Sequence, residues 1–376
     1  QIVKPKYALK SKEENGVEQA EFNQLLPRSR ADNSLLADVI VKKFGDHLPA
    51  YRISDIYFRS GVYISRQVLT NWLLSCAKAL KPLFDKMSEE ILSGESIFVD
   101  ETPVSMLSPG NKKTIKSYVW IVAGGGGGDP PLKCFHFFEN RKHENLQKIL
   151  KGYKNTLHSD KYGAYVKYAK EKQVIWCPCW VHIRRKFIEA APTSKVSRLI
   201  LQKIKYLFMF ERTAWERNPE DRVAIRYVFE EPVIDEIKQL VFKTLSQPIL
   251  VKSDPEHKAL RYIADLFPYL KNYFLSSEAR LDNNVAERAI RPLTLGRKNW
   301  LFFGSKAGGE AASVLLSLVQ TCKGLDINPH EYLCDIMSRI NNHCITKIDE
   351  LLPHKWKKDQ PSKVNITPIA QLPKIL

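Results

Sequence analysis

The stretch SIFVDETPVSMLSPGNKKTIKSYVWIVAGGGGGDPPLKCFHFFEN, residues 96–140, decides the fold. Three of its segments, SIFVD (96–100), KSYVWIVAG (116–124) and LKCFHFFEN (132–140), are β-branched and aromatic runs separated by turn formers. Side chains of this kind fit the half-buried pleat of a sheet, and the pattern predicts a three-stranded meander. The five glycines at 124–128, followed by Asp-Pro-Pro, predict a hairpin loop between its second and third strands.

Downstream, a helix candidate (143–151), a short strand NTLHSD (155–160), a helix (161–171) and a strand QVIWC (173–177) give the order βββαβαβ. Residues 182–275 then read as almost wholly helical, with apolar periodicity in VSRLILQKIKYLFMF and DEIKQLVFKTL and breaks expected near Pro219, Pro232, Pro248 and Pro255. The expected fold class is therefore α/β, a mixed five-stranded sheet interrupted by a large all-α insertion. Helices at about 306–324 and 329–341 and a Pro- and Lys-containing tail complete the chain.

Upstream, residues from Ser34 to Leu92 have helical spacing, with Leu35, Leu36, Val39, Ile40 and Phe44 on one face. Pro49 opens a second segment that stops before Gly61, and Ser65 reads as an N-cap. YFRSGVYISRQVLTNWLL (57–74) thus has the layout of a helix-turn-helix whose second helix would present Arg66, Gln67 and Asn71 to DNA bases. The alternative is a helical hairpin that only packs on the next domain. These readings divide the chain into an arm (1–33), a helical segment (34–93), the first part of a catalytic core (94–190), the all-α insertion (191–278), the second part of the core (279–341) and a tail (342–376).

Fifty-eight Lys and Arg against 41 Asp and Glu give a formal charge of +17, a field that favours polyanions and nucleic acid first among them. The seven cysteines are odd in number and irregularly spread, which points to a reducing compartment, the cytoplasm. No apolar run reaches the roughly 18 residues of a spanning helix, so no membrane partner is expected. The first residue is Gln, from which an upstream segment is expected.

In that order of elements Asp100 ends the first strand and Asp160 ends the strand after the first helix, side by side at one edge of the sheet. Glu287 lies in a helix that can return there. Carboxylates within about 4 Å repel by roughly 4 kcal/mol per pair at an effective dielectric of 20, so such a cluster needs a cation. Mg²⁺ suits it, and two ions, with Mn²⁺ as substitute, would serve in-line phosphodiester chemistry. Each acid has a plainer reading: Asp100 as a turn cap, Asp160 as the cap of the helix at 161, Glu287 as an i, i+4 partner of Arg291. Glu101, on the opposite face of the strand, and Asp282, ahead of the helix, are rivals.

KKFGDHLPAYR (42–52), VDETPV (99–104), HSDKYGAY (158–165), CWVHIRRKF (179–187), LDNNVAERAIRPLTLGRKNWLFFGS (281–305) and LDINPHEYL (325–333) follow one another in an order that resembles the insertion sequence 66 transposases of bacteria. The resemblance runs from about Leu35 to Arg339. It implies a ribonuclease H-like D-D-E transposase with an α-helical insertion before the glutamate, and Asp100, Asp160 and Glu287 as the metal-binding triad. Cys179 and His182 match the family's C-x-x-H motif. A tetrahedral structural zinc site wants four ligands, and Cys177, Cys179 and His182 find no further pair, so a buried structural role is expected for Cys179 and His182.

Arg184, Arg185, Lys186, Arg288, Arg291, Arg297 and Lys298 are the candidate phosphate contacts, while Trp180 or Trp300 stacking on an unpaired base is the lesser of two readings against a core role. The resemblance further implies DNA partners, namely element ends and target duplex, with self-association into a dimer or larger assembly on DNA. Accessory proteins of the same element and a bacterial, nucleoid-associated location complete that expectation. Full-length members resemble a layout with a cysteine-rich, zinc-binding segment upstream, and Ala8 follows KY where a cysteine is usual. Two other readings of the whole chain are a nuclease of the same fold that cuts without joining, and a truncated, inactive transposase acting as a DNA-binding repressor.

Overall fold

The computed structural model describes residues 6–8, 17–19, 23–108, 110, 113–125, 131–247 and 251–356. The glycine loop beyond residue 125, Pro248 and the tail beyond residue 356 lie outside the described residues. Within the segment expected to be an arm, β1 (Lys6–Ala8) and β2 (Val17–Gln19) pair antiparallel. Leu25 and Ala31 are already buried, and the Asn33 side chain ties this entry down by accepting the Leu25 N–H at 2.9 Å.

α1 (Asn33–Phe44) is capped by Asp32, whose carboxylate accepts the Leu35 N–H at 2.9 Å, and it buries Leu36, Val39, Ile40 and Phe44. α2 (Ala50–Arg59) begins after Pro49 and ends at a turn where Gly61 takes φ +82°, a conformation that a side chain would strain. Ser65 then caps α3 (Arg66–Ser93) by accepting the Val68 N–H at 3.3 Å. α3 runs for 28 residues, to the end of the segment expected to be helical. Its first turns are exposed, whereas Cys76, Leu80, Leu83, Phe84, Met87 and Ile91 enter the core at helical spacing.

The sheet has the order β5-β4-β3-β6-β7. β3 (Ser96–Leu107), β4 (Thr114–Ala123) and β5 (Lys133–Phe138) form the antiparallel meander, while β6 (Thr156–Ser159) and β7 (Ile175–Pro178) add on parallel to β3. The crossovers run through α4 (His143–Leu150) and α5 (Gly163–Lys172), which pack on each other. β3 is longer than SIFVD because β4 continues to pair with it as far as Leu107↔Thr114. The order of elements anticipated from sequence is the order found.

In the insertion, α6 (Trp180–Ala190) and α7 (Lys195–Trp215) lead to α8 (Pro219–Ile225), a single π turn (Arg226–Glu230) and α9 (Glu231–Leu245). No break occurs at Pro232. The π turn shifts the hydrogen bonding by one residue, with the Glu231 N–H reaching the Arg226 carbonyl, so the missing N–H of Pro232 falls in the first turn of α9, where no intrahelical donor is needed. α10 (Pro255–Ala264) and a 3-10 turn (Asn272–Leu275) bring the chain back to the sheet.

α11 (Asn284–Trp300) packs along β3 and β4, and β8 (Phe302–Phe303) then pairs parallel to β3 beyond its midpoint. α12 (Lys306–Gly324) lies on β5 so closely that a Cβ on Gly309 would sit 2.6 Å from the Phe137 ring. On the same stripe Ser317 accepts the Phe135 N–H at 2.8 Å and Thr321 accepts the Lys133 N–H at 3.1 Å. Helix hydroxyls thus satisfy the outer donors of the edge strand, which keeps that edge from recruiting another chain. α13 (Pro329–Arg339) packs on α1, and Leu351 and Leu352 beyond it are buried, so part of the expected tail is core.

Candidate active site

The parallel register pairs Phe98 with His158 and His158 with Cys177. Two residues further along each strand, at the period that returns a side chain to the same face, stand Asp100, Asp160 and Cys179. Beneath them Phe98 and His158 stack with ring centroids 4.3 Å apart. The sheet therefore sets the two aspartates side by side, as their strand positions led us to expect.

Glu287 reaches the same place from the first turn of α11, and three contacts fix that turn on the sheet. Asn283 Nδ2 donates to the Val99 carbonyl at 2.9 Å, one residue before Asp100. The Asn283 N–H donates to Cys179 Sγ at 3.2 Å, and the Arg280 N–H donates to His158 Nε2 at 2.9 Å. Burial, together with the Arg280 and Arg226 charges, pushes the His158 imidazole down to about 3, so it stays neutral and accepts at Nε2. The Trp180 N–H adds a fourth tie to the Leu281 carbonyl at 3.2 Å.

Burial first, and then the neighbouring charges of Glu101, Asp160 and Glu287, push the Asp100 carboxyl up to about 7. The Glu101 N–H, which donates to Asp100 Oδ1 at 2.9 Å, opposes them. Asp160 Oδ1 accepts the Tyr162 N–H at 2.9 Å and so also caps the turn into α5. Glu287 faces His182 Nδ1 at 3.5 Å and Arg185 Nη2 at 3.9 Å. Like charges gathered out of water in this way favour either a proton or a cation.

The rival acids are engaged elsewhere. Glu101 carries a side chain only 3% exposed, ion-paired to Arg141 and hydrogen-bonded by the Tyr165 hydroxyl. Arg141 in turn lies 3.5 Å over the Tyr162 ring. Asp282 accepts the Asn284 N–H at 2.9 Å and the Asn284 side-chain amide at 2.6 Å, which makes it the cap of the turn that opens α11. Arg141 carries no signal in the sequence, because its partner lies across the sheet.

Arg66, Gln67 and Asn71 are all exposed on the first turns of α3, with Gln67 Nε2 donating to Asn71 Oδ1 at 3.0 Å. Arg184, Arg185, Arg288, Arg291 and Lys298 are exposed on α6 and α11. Lys186 pairs with Glu189 at 3.1 Å. Arg297 is half-buried, its Nη1 donating to Thr102 Oγ1 at 2.8 Å and to the Pro103 carbonyl at 2.6 Å, which clamps α11 to β3. Trp180 is fully buried and cannot offer a ring face to a base, and half-buried Trp300 stacks on Phe303 at 4.7 Å. Cys177 is buried beneath Cys179 and takes no part in the contact between Cys179, His182 and Glu287. That contact was not foreseen, since nothing local links a motif after the fifth strand to a helix on the far side of the insertion. Among the described residues no helix is long and apolar enough to cross a membrane.

A family model described as "Transposase IS66 family" matches residues 28–311, and a second, "IS66 C-terminal element", matches residues 317–354. Three proteins of Sinorhizobium fredii (strain NBRC 101917 / NGR234), named only as uncharacterized proteins y4qI, y4hP and y4jD, are each 30% identical to this chain. The similarity covers 95%, 90% and 95% of this chain and 68%, 64% and 72% of the respective relatives. The chain therefore spans about two thirds of the length of these relatives.

Proposed function

The chain belongs to the transposase IS66 family, and from that premise we propose that it is a D-D-E transposase with a ribonuclease H-like core that cuts phosphodiesters at the ends of an insertion sequence and joins the freed 3′-OH to target DNA. The observation that carries the reading is Asp100 and Asp160 on neighbouring parallel strands, with the charge of Glu287 close enough to raise Asp100. Three carboxylates supply hard oxygen donors, and their mutual repulsion is the energetic signature of a cation site.

Asp100, Asp160 and Glu287 hold Mg²⁺ or Mn²⁺, in one or two ions, which when bound supplies Lewis acidity toward the phosphodiester. The protein's own groups prepare that site. The Glu101 and Tyr162 amides orient one oxygen of each aspartate. The ties from Asn283 and His158 hold Glu287 at a fixed approach, and Arg297 keeps α11 from sliding along β3. Arg184, Arg185, Arg288, Arg291 and Lys298 line the exposed side, where they neutralise and position DNA phosphates. The first turns of α3 supply a second DNA contact through Arg66, Gln67 and Asn71. The enzyme acts on paired element ends in a dimer or larger assembly, in the bacterial cytoplasm at the nucleoid.

Cleavage of a labelled duplex carrying the element's terminal repeat tests this, with Mg²⁺ or Mn²⁺, for the chain and its Asp160→Asn and Glu287→Gln variants. Metal-dependent cutting lost in both variants is expected, with strand-transfer products from the unaltered chain. Cutting that persists in Asp160→Asn refutes the triad. Cutting without joining would make the chain a nuclease, and binding without cutting a repressor.

A further inference from the structure

Where β7 ends, α6 begins and α11 begins, Glu287 meets the Cys179 and His182 of the C-x-x-H motif. Cys179 Sγ, a ring nitrogen of His182 and a Glu287 oxygen all lie within 4.8 Å of one another. His182 Nδ1 stands 3.5 Å from Glu287 Oε1, and both atoms are buried with no hydrogen-bond partner. Buried polar atoms left without a hydrogen bond are costly unless something fills the gap between them. Cys179 Sγ, almost fully buried, accepts the Asn283 N–H at 3.2 Å, which fixes the sulfur beside the pair.

We propose that Cys179, His182 and Glu287 bind a thiophilic divalent cation of the Zn²⁺ class, with water as the fourth ligand, at a site that adjoins the aspartate pair and shares Glu287 with it. Bonds of about 2.0–2.3 Å to sulfur, nitrogen and oxygen set tetrahedral ligand atoms roughly 3.3–3.7 Å apart. The histidine and glutamate already meet that spacing, and the thiol needs to close by about 1 Å at most. Mixed sulfur, nitrogen and oxygen donors select Zn²⁺ over Mg²⁺, which prefers oxygen ligands and water. Binding replaces the Cys179 S–H bond by a sulfur–metal bond and releases one proton to solvent, with no change of oxidation state. A three-ligand site of this kind escapes the four-ligand argument against zinc, because an open position is normal where the fourth ligand is water. On the proposed function a cation held here would draw Glu287 away from Asp100 and Asp160 and oppose Mg²⁺; binding itself does not depend on that function.

The test is titration of the metal-free chain with Co²⁺ as a spectroscopic stand-in for Zn²⁺, followed by displacement with Zn²⁺. A thiolate-to-cobalt charge-transfer band with tetrahedral d–d absorption is expected, abolished by Zn²⁺. Cys179→Ser should remove the charge-transfer band and His182→Gln should remove both features. Asp100→Asn should leave them in place, and so should His330→Ala, which removes the imidazole from a separate sulfur–imidazole pair in which Cys334 Sγ lies 3.7 Å from His330 Nδ1. Should Cys179→Ser fail to fold, half-buried His182 in the first turn of α6 still decides the matter. Absence of the band in the unaltered chain, or a band that survives His182→Gln, overturns the proposal whatever the chain does to DNA.

Discussion

The β3–β6 edge and the centre of the insertion both take carboxylates out of water, and they neutralise them by different means. In the insertion Arg226, fully buried, donates through Nε and Nη2 to Glu211 at 2.9 and 2.6 Å and spends its remaining donors on the carbonyls of Tyr273, Ser276 and Ala279. Its second carboxyl, Glu230, is pushed up to about 8 by burial and by the Glu211 charge, so it keeps its proton, and Tyr273 donates to it. At the edge Asp100 and Asp160 accept backbone amides, and Glu287 is flanked by Arg185, with no buried Arg or Lys set between the three among the described residues. Buried charge balanced by the chain itself is structure; buried charge that the chain leaves unbalanced is a place for something else to bind.

Substitutions break the comparison most sharply at the edge. Asp160→Asn should lower cleavage by about 10³-fold, several kcal/mol of lost transition-state stabilisation, as read by single-turnover kinetics with Mg²⁺. Asp100→Asn should abolish cleavage likewise and, in chelator, raise the melting temperature, since it relieves a repulsion that the Glu101 N–H offsets only in part. A lower melting temperature would mean that the edge carboxylates are structural after all.

The insertion should respond in the reverse sense. Arg226→Met leaves Glu211 buried without its counter-charge and should cost about 3–5 kcal/mol in urea unfolding, with DNA cleavage lost only in proportion to unfolded protein. A smaller and more diagnostic effect attaches to Glu230. Its native carboxyl holds a proton up to about 8, against an ordinary value of 4.5, so the folded state binds more protons between those limits. Stability should therefore fall as pH rises from about 4.5 to about 8, and Glu230→Gln should flatten that slope in denaturant titrations. The smallest expected change is at the surface: Arg288→Ala should reduce the slope of log K against log salt by about 0.9 without altering sequence preference, as measured by fluorescence anisotropy. Alanine at Arg66 and Gln67 should instead change preference among sequences, and equal affinity for all of them would reduce α3 to a packing element.

Much of this difference was legible from residue type and spacing. The β-branched runs, Ser65 as a cap, Pro49 as a helix opener and the strand that stops just before Asp160 are local signals, whereas Asp100, expected at a strand end, lies inside β3 because β4 goes on pairing with it. Other features could not be read in this way. A proline such as Pro232 reads as a break until the π turn before it is known.

The sequence by itself determined the order of elements, the family and the short set of acids from which a site could be built, because periodicity, turn chemistry and motif spacing act over a few residues at a time. Only the tertiary structure decided that Glu101 belongs to Arg141 while Asp100 faces Asp160, that Arg297 clamps a helix, and that His182 meets Glu287 across the whole insertion. Those outcomes depend on sheet register and on the few hydrogen bonds from His158, Cys179 and Asn283 that fix where a distant helix lands, and contacts between residues far apart in the chain leave no trace in local pattern.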